Sequence, residues 1–307
     1  MLKRWNILLS VLLSIQLAVL FYFVNPTGHK QGQVLQKEVL LVVDRDALNK
    51  IVLEEAGGVL ELNRKGSAWH LGSYFDLPVD EAQLNLFLDA IASWKPGFVY
   101  SDSEVDYSRF QVSEQQFRFR VRLHTQNNKE QVFLLGSFEG GDAEDARYYF
   151  RQVGEKPVYA VRFSGFLPST LPFIWMDVNL LQVSDQLQHI GGKGFDFVYR
   201  QGVWRLSDLA DAEKQDFVQV AGFIAAIQNL RVIGKLDNPE VEKMLSDRQP
   251  DYTFDIETVG GKKDIYRFFS VNGKFFVRSD RYPHFFYFSE QTAKLLQGLQ
   301  RSSFLQK

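Results

Sequence analysis

Residues 59–63 (VLELN) and 69–71 (WHL) alternate apolar and polar side chains, the two-residue period of half-buried strands, with turns at Gly57-Gly58 and Lys65-Gly66. The period then changes. Pro78 and Asp80 open a stretch in which Leu84, Phe87, Leu88, Ile91 and Trp94 keep helical spacing until Pro96-Gly97, which predicts an amphipathic helix. Residues 39–43 and 51–54 read as strands ahead of it. Alternation returns at 117–123, with Phe117, Phe119, Val121 and Leu123 on one parity and Arg118, Arg120 and Arg122 on the other. Further antiparallel strands are expected at 131–135, 148–153 and 158–163.

The same order then comes back. FDFVYRQG at 195–202 follows VLELNRKG at 59–66, Trp204 with Leu206 follows Trp69 with Leu71, and Phe223-Ile224-x-Ala226-Ile227 follows Phe87-Leu88-x-Ala90-Ile91. The offset is constant to within one residue, so the pattern predicts a tandem duplication of one structural unit. In the second unit we expect strands at 195–199 and 203–206, a helix over about 212–230, strands at 252–258, 265–270, 274–278 and 284–288, and a closing helix at 290–299. Gly260-Gly261 and Asn272-Gly273 mark hairpin turns. Residues 282–288 (YPHFFYF) are apolar on both parities and read as a central strand, a docking edge being the alternative. Trp69, Trp204, Phe87 and Phe223 read as repeat-equivalent core, with ligand stacking the alternative for the tryptophans.

Residues 164–183 hold two prolines and an apolar tail, the composition of a connector that packs on both units. The predicted fold class is α+β: two tandem units, each an antiparallel sheet with one principal helix, behind an N-terminal transmembrane helix. The boundaries are an anchor at 1–24, a polar tether at 25–38, the first unit with connector at 39–183 and the second unit at 184–307.

The anchor rests on Lys3 and Arg4 ahead of an apolar run over 7–24, just long enough for a bilayer core. The run ends in FYFVNP without a small-x-small cleavage site, which favours an uncleaved anchor over a signal peptide. Lys3 and Arg4 place the amino end in the cytoplasm and the body in the periplasm or cell exterior of a bacterium, a single-pass inner-membrane topology. With 35 basic and 37 acidic residues, the chain has no surplus for neutralising phosphates, so nucleic acid is discounted as a partner. There are no cysteines, hence no disulfide, thiolate metal site or lipid-modified cysteine.

Catalytic signals are few. His29, His70, His124, His189 and His284 fall at no metal-ligand spacing, and no nucleophile elbow or phosphate loop is found. Residues 190–194 (IGGKG) lead into a strand, which marks a turn and not a phosphate cradle. No cofactor, metal or catalytic residue is assigned. Arg118, Arg120 and Arg122 form the candidate interaction face, because the second unit offers Thr253, Asp255 and Glu257 instead; a solvated face is the alternative.

The order of anchor, strand pair, Trp-x-Leu strand, helix and paired strands ending at 148–151 (YYFR) and 157–159 (PVY), then repeated, resembles domain-of-unknown-function family 4340. Trp175, Asp177 and Leu180-Leu181 fit the family's connector, while Met176 and Asn179 depart from its more basic pattern. The resemblance implies a membrane-anchored protein that accompanies ABC-2-type permeases and auxiliary subunits of the gliding-motility kind, and brings no catalytic residues. The expected function is therefore a non-enzymatic, membrane-tethered extracytoplasmic accessory or interaction subunit of an ABC-type export or motility complex. The alternatives are an envelope ligand-binding protein using the inter-unit cleft and, third, an envelope hydrolase.

Overall fold

The computed structural model describes residues 39–137, 147–162 and 168–306. The anchor, the tether and the topology residues Lys3 and Arg4 lie outside them. Among the described residues no helix is long and apolar enough to cross a membrane.

In chain order the elements are β1 (Leu48–Glu55), β2 (Gly58–Lys65), β3 (Ala68–Leu71), β4 (Leu77–Pro78), α1 (Glu81–Ala92), β5 (Val99–Ser101), β6 (Phe119–Thr125), β7 (Glu130–Ser137), β8 (Arg147–Gln152) and β9 (Val158–Arg162). The short α2 (Pro172–Trp175) follows. Then come β10 (Leu187–Gly192), β11 (Phe195–Arg200), β12 (Val203–Leu206), α3 (Phe217–Gln228), β13 (Val232–Lys235), α4 (Pro239–Ser246), β14 (Tyr252–Thr258), β15 (Lys263–Val271), β16 (Lys274–Ser279), β17 (Tyr282–Phe288) and α5 (Glu290–Leu296). The class is α+β, with antiparallel sheets and few helices. One sheet runs β4-β3-β2-β1-β6-β7-β8-β9-β5 and the other β12-β11-β10-β14-β15-β16-β17-β13. With β4 set aside the two orders are the same: three strands fold back from the sheet centre, a helix intervenes, and the strand after it closes the far edge.

Local chemistry sets the boundaries. Asp80 starts α1 by accepting the Ala82 and Gln83 amides at 2.9 and 3.1 Å, and Asp216 does the same for α3 with Val218 and Gln219 at 3.0 and 3.1 Å. Leu84, Phe87, Leu88, Ile91 and Trp94 are all buried, the stripe their spacing dictates. Asn272 and Gly273 take φ of 50° and 72°, the left-handed pair that a tight β15–β16 hairpin requires. β17 lies between β16 and β13, so its two apolar faces belong to an internal strand.

Several boundaries differ from the sequence reading. Residues 39–43 form no strand; Leu40 and Leu41 are buried and the Leu40 amide donates to the Trp94 carbonyl at 2.8 Å, so a helix end takes the place of a ladder. The second principal helix begins at Phe217, not near 212, because Gln215 is drawn to the edge of β12: its Oε1 accepts the Leu206 amide at 2.7 Å and its Nε2 donates to the Trp204 carbonyl at 2.8 Å. β6 starts at Phe119, and Phe117 makes only an isolated bridge to Val112.

By contact density the described residues form two bodies, which are not the sequence units: 39–45, 88–120, 131–137 and 147–162 in one, and 46–87, 121–130 and 168–306 in the other. In the first, Trp94 packs edge-on against Phe133 and Phe150 at 5.6 and 5.4 Å and donates to the Arg162 carbonyl. Tyr107, Phe110, Val112, Leu134 and Val158 make a second cluster there. Gly136 on β7 admits the turn above it, since a Cβ would lie 1.8 Å from the Phe110 carbonyl oxygen. Gly136→Ala is accordingly expected to cost about 1–3 kcal/mol in denaturant unfolding, as backbone must move to admit the methyl. In the second body, Phe195, Phe223, Phe254 and Phe304 interlock at centroid distances of 4.9–6.1 Å.

The second body also contains residues 168–183 of the connector. Trp175, fully buried, meets Phe87 edge-on at 5.6 Å, its carbonyl accepts the Asp80 amide at 2.7 Å, and Met176 bridges Val79. A few residues on, the Val178 carbonyl accepts the Val232 amide at 2.8 Å and the Leu181 carbonyl accepts the Tyr266 hydroxyl at 2.6 Å.

Candidate functional site

The three arginines of the candidate face are each engaged close to home. Arg118, exposed just before β6, lies 5.3 Å from the Tyr148 ring and 5.5 Å from that of Phe119. Arg120 stacks over Phe117 at 4.2 Å and donates to the Glu114 carbonyl. Arg122 donates to Glu54 on β1 at 3.1 Å. Arg120 and Arg122 share one face of β6, half-buried, opposite Phe119, Val121 and Leu123. Arg118 and Arg120 thus present ring-backed cations, and Arg120 and Arg122 have part of their hydrogen-bonding capacity already used.

β14 holds the fourth place in its sheet, counted from β12, as β6 does from β3. Its outward parity carries Thr253, Asp255 and Glu257 against inward Phe254, Ile256 and Thr258. Glu257 accepts from Gln188 at 3.1 Å and pairs with Lys263 at 3.5 Å. On neighbouring β10, His189 is hydrogen-bonded through Nε2 to Asp196, and its Nδ1 stands 3.7 Å from Asp255. Ser207 completes this group by donating to Asp196 at 2.8 Å. One face is therefore cationic and the other largely acidic. Among the described residues no three His, Cys, Asp or Glu side chains are arranged to hold a metal ion.

A denser polar constellation lies elsewhere. Asp264, 7% exposed, accepts the Ser279 hydroxyl at 2.7 and 2.9 Å, the Asp280 amide at 2.9 Å and Arg281 Nε at 2.7 Å. Arg281 also donates to the Leu181 carbonyl at 2.6 Å, the Gln182 carbonyl at 3.2 Å and the Tyr266 hydroxyl. Burial pushes the Tyr266 phenol up, against the pull of Arg281, so it stays a donor to Leu181 throughout the physiological range. This network closes on the chain's own connector.

The family model for Domain of unknown function (DUF4340) matches residues 69–255, more than half of the chain. The chain belongs to this family. No curated protein and no solved structure matches it. The stretch matched to DUF4340 runs from Trp69 on β3 to Asp255 on β14, so it includes the connector and the arginine face while Asp264 and Arg281 fall beyond it.

The repeat-matched residues sit on matching elements, Trp69 on β3 and Trp204 on β12, Phe87 on α1 and Phe223 on α3. Phe87, Phe223 and Trp69 are buried, Trp69 being 8% exposed. Trp204 departs from the core position expected of it: it is half-buried, its ring against Tyr199 at 5.4 Å. The reason is its strand. β12 ends its sheet, whereas β3 is flanked by β4 through His70–Pro78 and Leu71–Leu77. Trp69→Ala is expected to lower stability by about 3–5 kcal/mol, and Trp204→Ala by no more than about half that, as read from urea midpoints.

A cluster that the sequence reading did not single out surrounds Lys235, whose side chain is 1% exposed. Its ammonium donates to the Leu236 carbonyl at 2.6 Å, lies 3.6 Å from the Phe75 ring centroid and 3.8 Å from Glu242. Phe75 and Asp76 both take φ of 56°, and Phe75 also meets His284 edge-on at 5.0 Å. Burial, then the Lys235 charge, holds His284 below its ordinary value of 6.5. Its folded form therefore resists protonation while the unfolded chain does not. Stability should fall as pH drops below about 6.5 toward the depressed folded value, and His284→Gln should flatten that limb of the pH–midpoint curve. Lys235 on a short edge strand carries no sequence signal. Asp264 did carry one, an acid on the inward parity of β15 with Tyr266 and Phe268.

A cleft of 1040 Å³ opens among Gly192–Phe195, Pro250–Asp255 and Gly298–Ser302, with Glu213 and Leu305 also on its wall. These residues all belong to the second sequence unit.

Proposed function

We propose that this chain is a tandem duplication serving as a non-enzymatic, membrane-tethered extracytoplasmic interaction subunit, an accessory of an ABC-type export or motility complex. The observation that carries this reading is the pair of sheets with the same strand order but outward faces of different charge: Arg120 and Arg122 on β6, Asp255 and Glu257 on β14. A duplication preserves what builds the core, and a face free to diverge is where partner contacts arise. Two further observations agree with it. The Asp264–Arg281 network is committed to holding the connector, a structural use of a buried carboxylate and its partner. The amino end has a basic pair ahead of an apolar run, which supports a tether with the body outside the cytoplasm.

A ligand-binding reading has one observation in its favour, the 1040 Å³ cleft, which lies within the second unit and not between the units. The deciding experiment is membrane fractionation of the full-length chain with protease added to either face. The interaction-subunit reading expects resistance to carbonate extraction and loss of the body only to outer-face protease. A processed amino terminus near residues 25–35, with the body released, would overturn the tether.

A further inference from the structure

The two sheets end differently at the edge formed by the strand after the principal helix. In one, β13 is covered by the chain itself: α2 packs on it and the Val178 carbonyl accepts the Val232 amide at 2.8 Å. In the other, the terminal strand is β5, and among the described residues no strand lies beyond it. The chain leading into β5 places Phe98 at the surface, 75% exposed, with its ring edge-on to Tyr100 at 5.2 Å. Tyr100 meets Tyr149 at 5.4 Å and Phe110 at 6.5 Å, so a row of rings runs from the buried Tyr107–Phe110 cluster out to Phe98. Val105, in the 3₁₀ turn that follows β5, is 86% exposed.

Charge identifies what fits there. Between residues 98 and 108 the charged side chains are Asp102, Glu104 and Asp106, with no basic residue. Asp102 and Glu104 are exposed; burial holds the Tyr107 phenol above its ordinary value, Arg151 beside its ring pulls it down, and Glu104 and Asp102 push it up. Along the chain the nearest basic groups are Lys95, three residues before Phe98, and Arg109, whose guanidinium lies 5.4 Å from the Phe110 ring. Across the sheet, Arg151 is buried 4.2 Å from the Tyr107 ring and Arg162 is exposed at the end of β9, the strand paired with β5. A second copy presenting the same acidic turn, or an anionic lipid surface, is repelled by these carboxylates; an extended segment that alternates basic and apolar side chains is attracted.

We infer that the Phe98–Val105 edge is a docking surface for a basic, apolar segment of a partner protein. The inference rests on the reading of the chain as an interaction subunit and names the chemistry of what that subunit holds.

The test is fluorescence anisotropy on the full-length chain in detergent, with a labelled peptide alternating Lys and Val as probe and its Glu–Val counterpart as control. Binding of the Lys–Val probe should exceed that of the control by at least about tenfold at low salt. It should drop by a similar factor in Phe98→Ser and in Asp102→Lys/Glu104→Lys, whose thermal midpoints stay at the parent value because all three side chains are exposed. Arg118→Gln should leave it unchanged. Equal binding of both peptides, indifference to the charge reversal, self-association lost on the same substitutions, or binding of phosphatidylglycerol vesicles by this edge would each overturn the inference. Fractionation tests the tether separately: a soluble chain that still discriminates the peptides would refute the tether and leave this surface standing.

Discussion

Trp175→Ala is expected to lower the unfolding free energy of the full-length chain by about 3–5 kcal/mol, although the residue lies outside both sheets. The indole is fully buried, is edge-on to Phe87, and donates from Nε1 to the Ser169 carbonyl at 2.8 Å. Its removal leaves a cavity beneath α1 and strips that carbonyl of its donor. Because Met176 next to it pairs with Val79 in an antiparallel bridge and the Asp177 amide donates to the Pro78 carbonyl, the loss should spread along the connector. Hydrogen exchange would show this as faster exchange at Asp177 and Val232, amides that depend on the connector's position. A loss under about 1 kcal/mol would mean that the connector is not a core element.

Arg281→Met is the second large effect, about 3 kcal/mol. The substitution leaves Asp264 buried without its ion-pair partner and the Leu181 carbonyl with one donor fewer. The double variant Asp264→Asn/Arg281→Met should recover part of that loss, since the uncompensated charge goes with it. The Arg281 side chain is 37% exposed, which holds the effect below that of a fully enclosed pair. Additive losses in the double-mutant cycle, measured by urea denaturation, would show that the two side chains are not coupled.

Much of this architecture was legible in the residues, and for identifiable reasons. Strict alternation at 252–258 and the Asn272-Gly273 turn leave few other solutions, and β14 and the β15–β16 hairpin stand where they imply. The Leu84–Trp94 stripe and its Asp80 cap likewise define α1. Elements whose ends are set by long-range bonds were less legible. Gln215 shortens α3 from its amino end because an edge strand eleven residues earlier takes its amide group. β5 and β13 are three and four residues long, too short to show a period. α4 had a readable signal, Asn238 as cap with Pro239 as first helical residue, where the Glu240 and Val241 amides bond Asn238 at 3.1 Å.

The candidate site follows the same division. The alternation of Arg118, Arg120 and Arg122 is a local fact, but Glu54 lies 68 residues from Arg122, so their hydrogen bond is invisible to any window reading. That bond changes what a charge reversal does. Arg122→Glu would set two carboxylates together across β1 and β6, so neutral glutamine is the informative substitution at this position. The Trp69–Trp204 comparison shows a related effect: equal sequence places the two rings on equivalent strands, and the presence of β4 beside only one of them decides how deeply each is buried.

The proposal that this family member is an interaction subunit is tested most directly by co-purification of the full-length chain from detergent-solubilised membranes of its own cell, with crosslinked peptides identified by mass. The account predicts an integral membrane permease of the ABC type recovered in fixed ratio with the chain, and that ratio reduced when Arg118, Arg120 and Arg122 are changed together to glutamine. Recovery of the chain alone in a monodisperse peak, or turnover of envelope material by the purified chain, would contradict it.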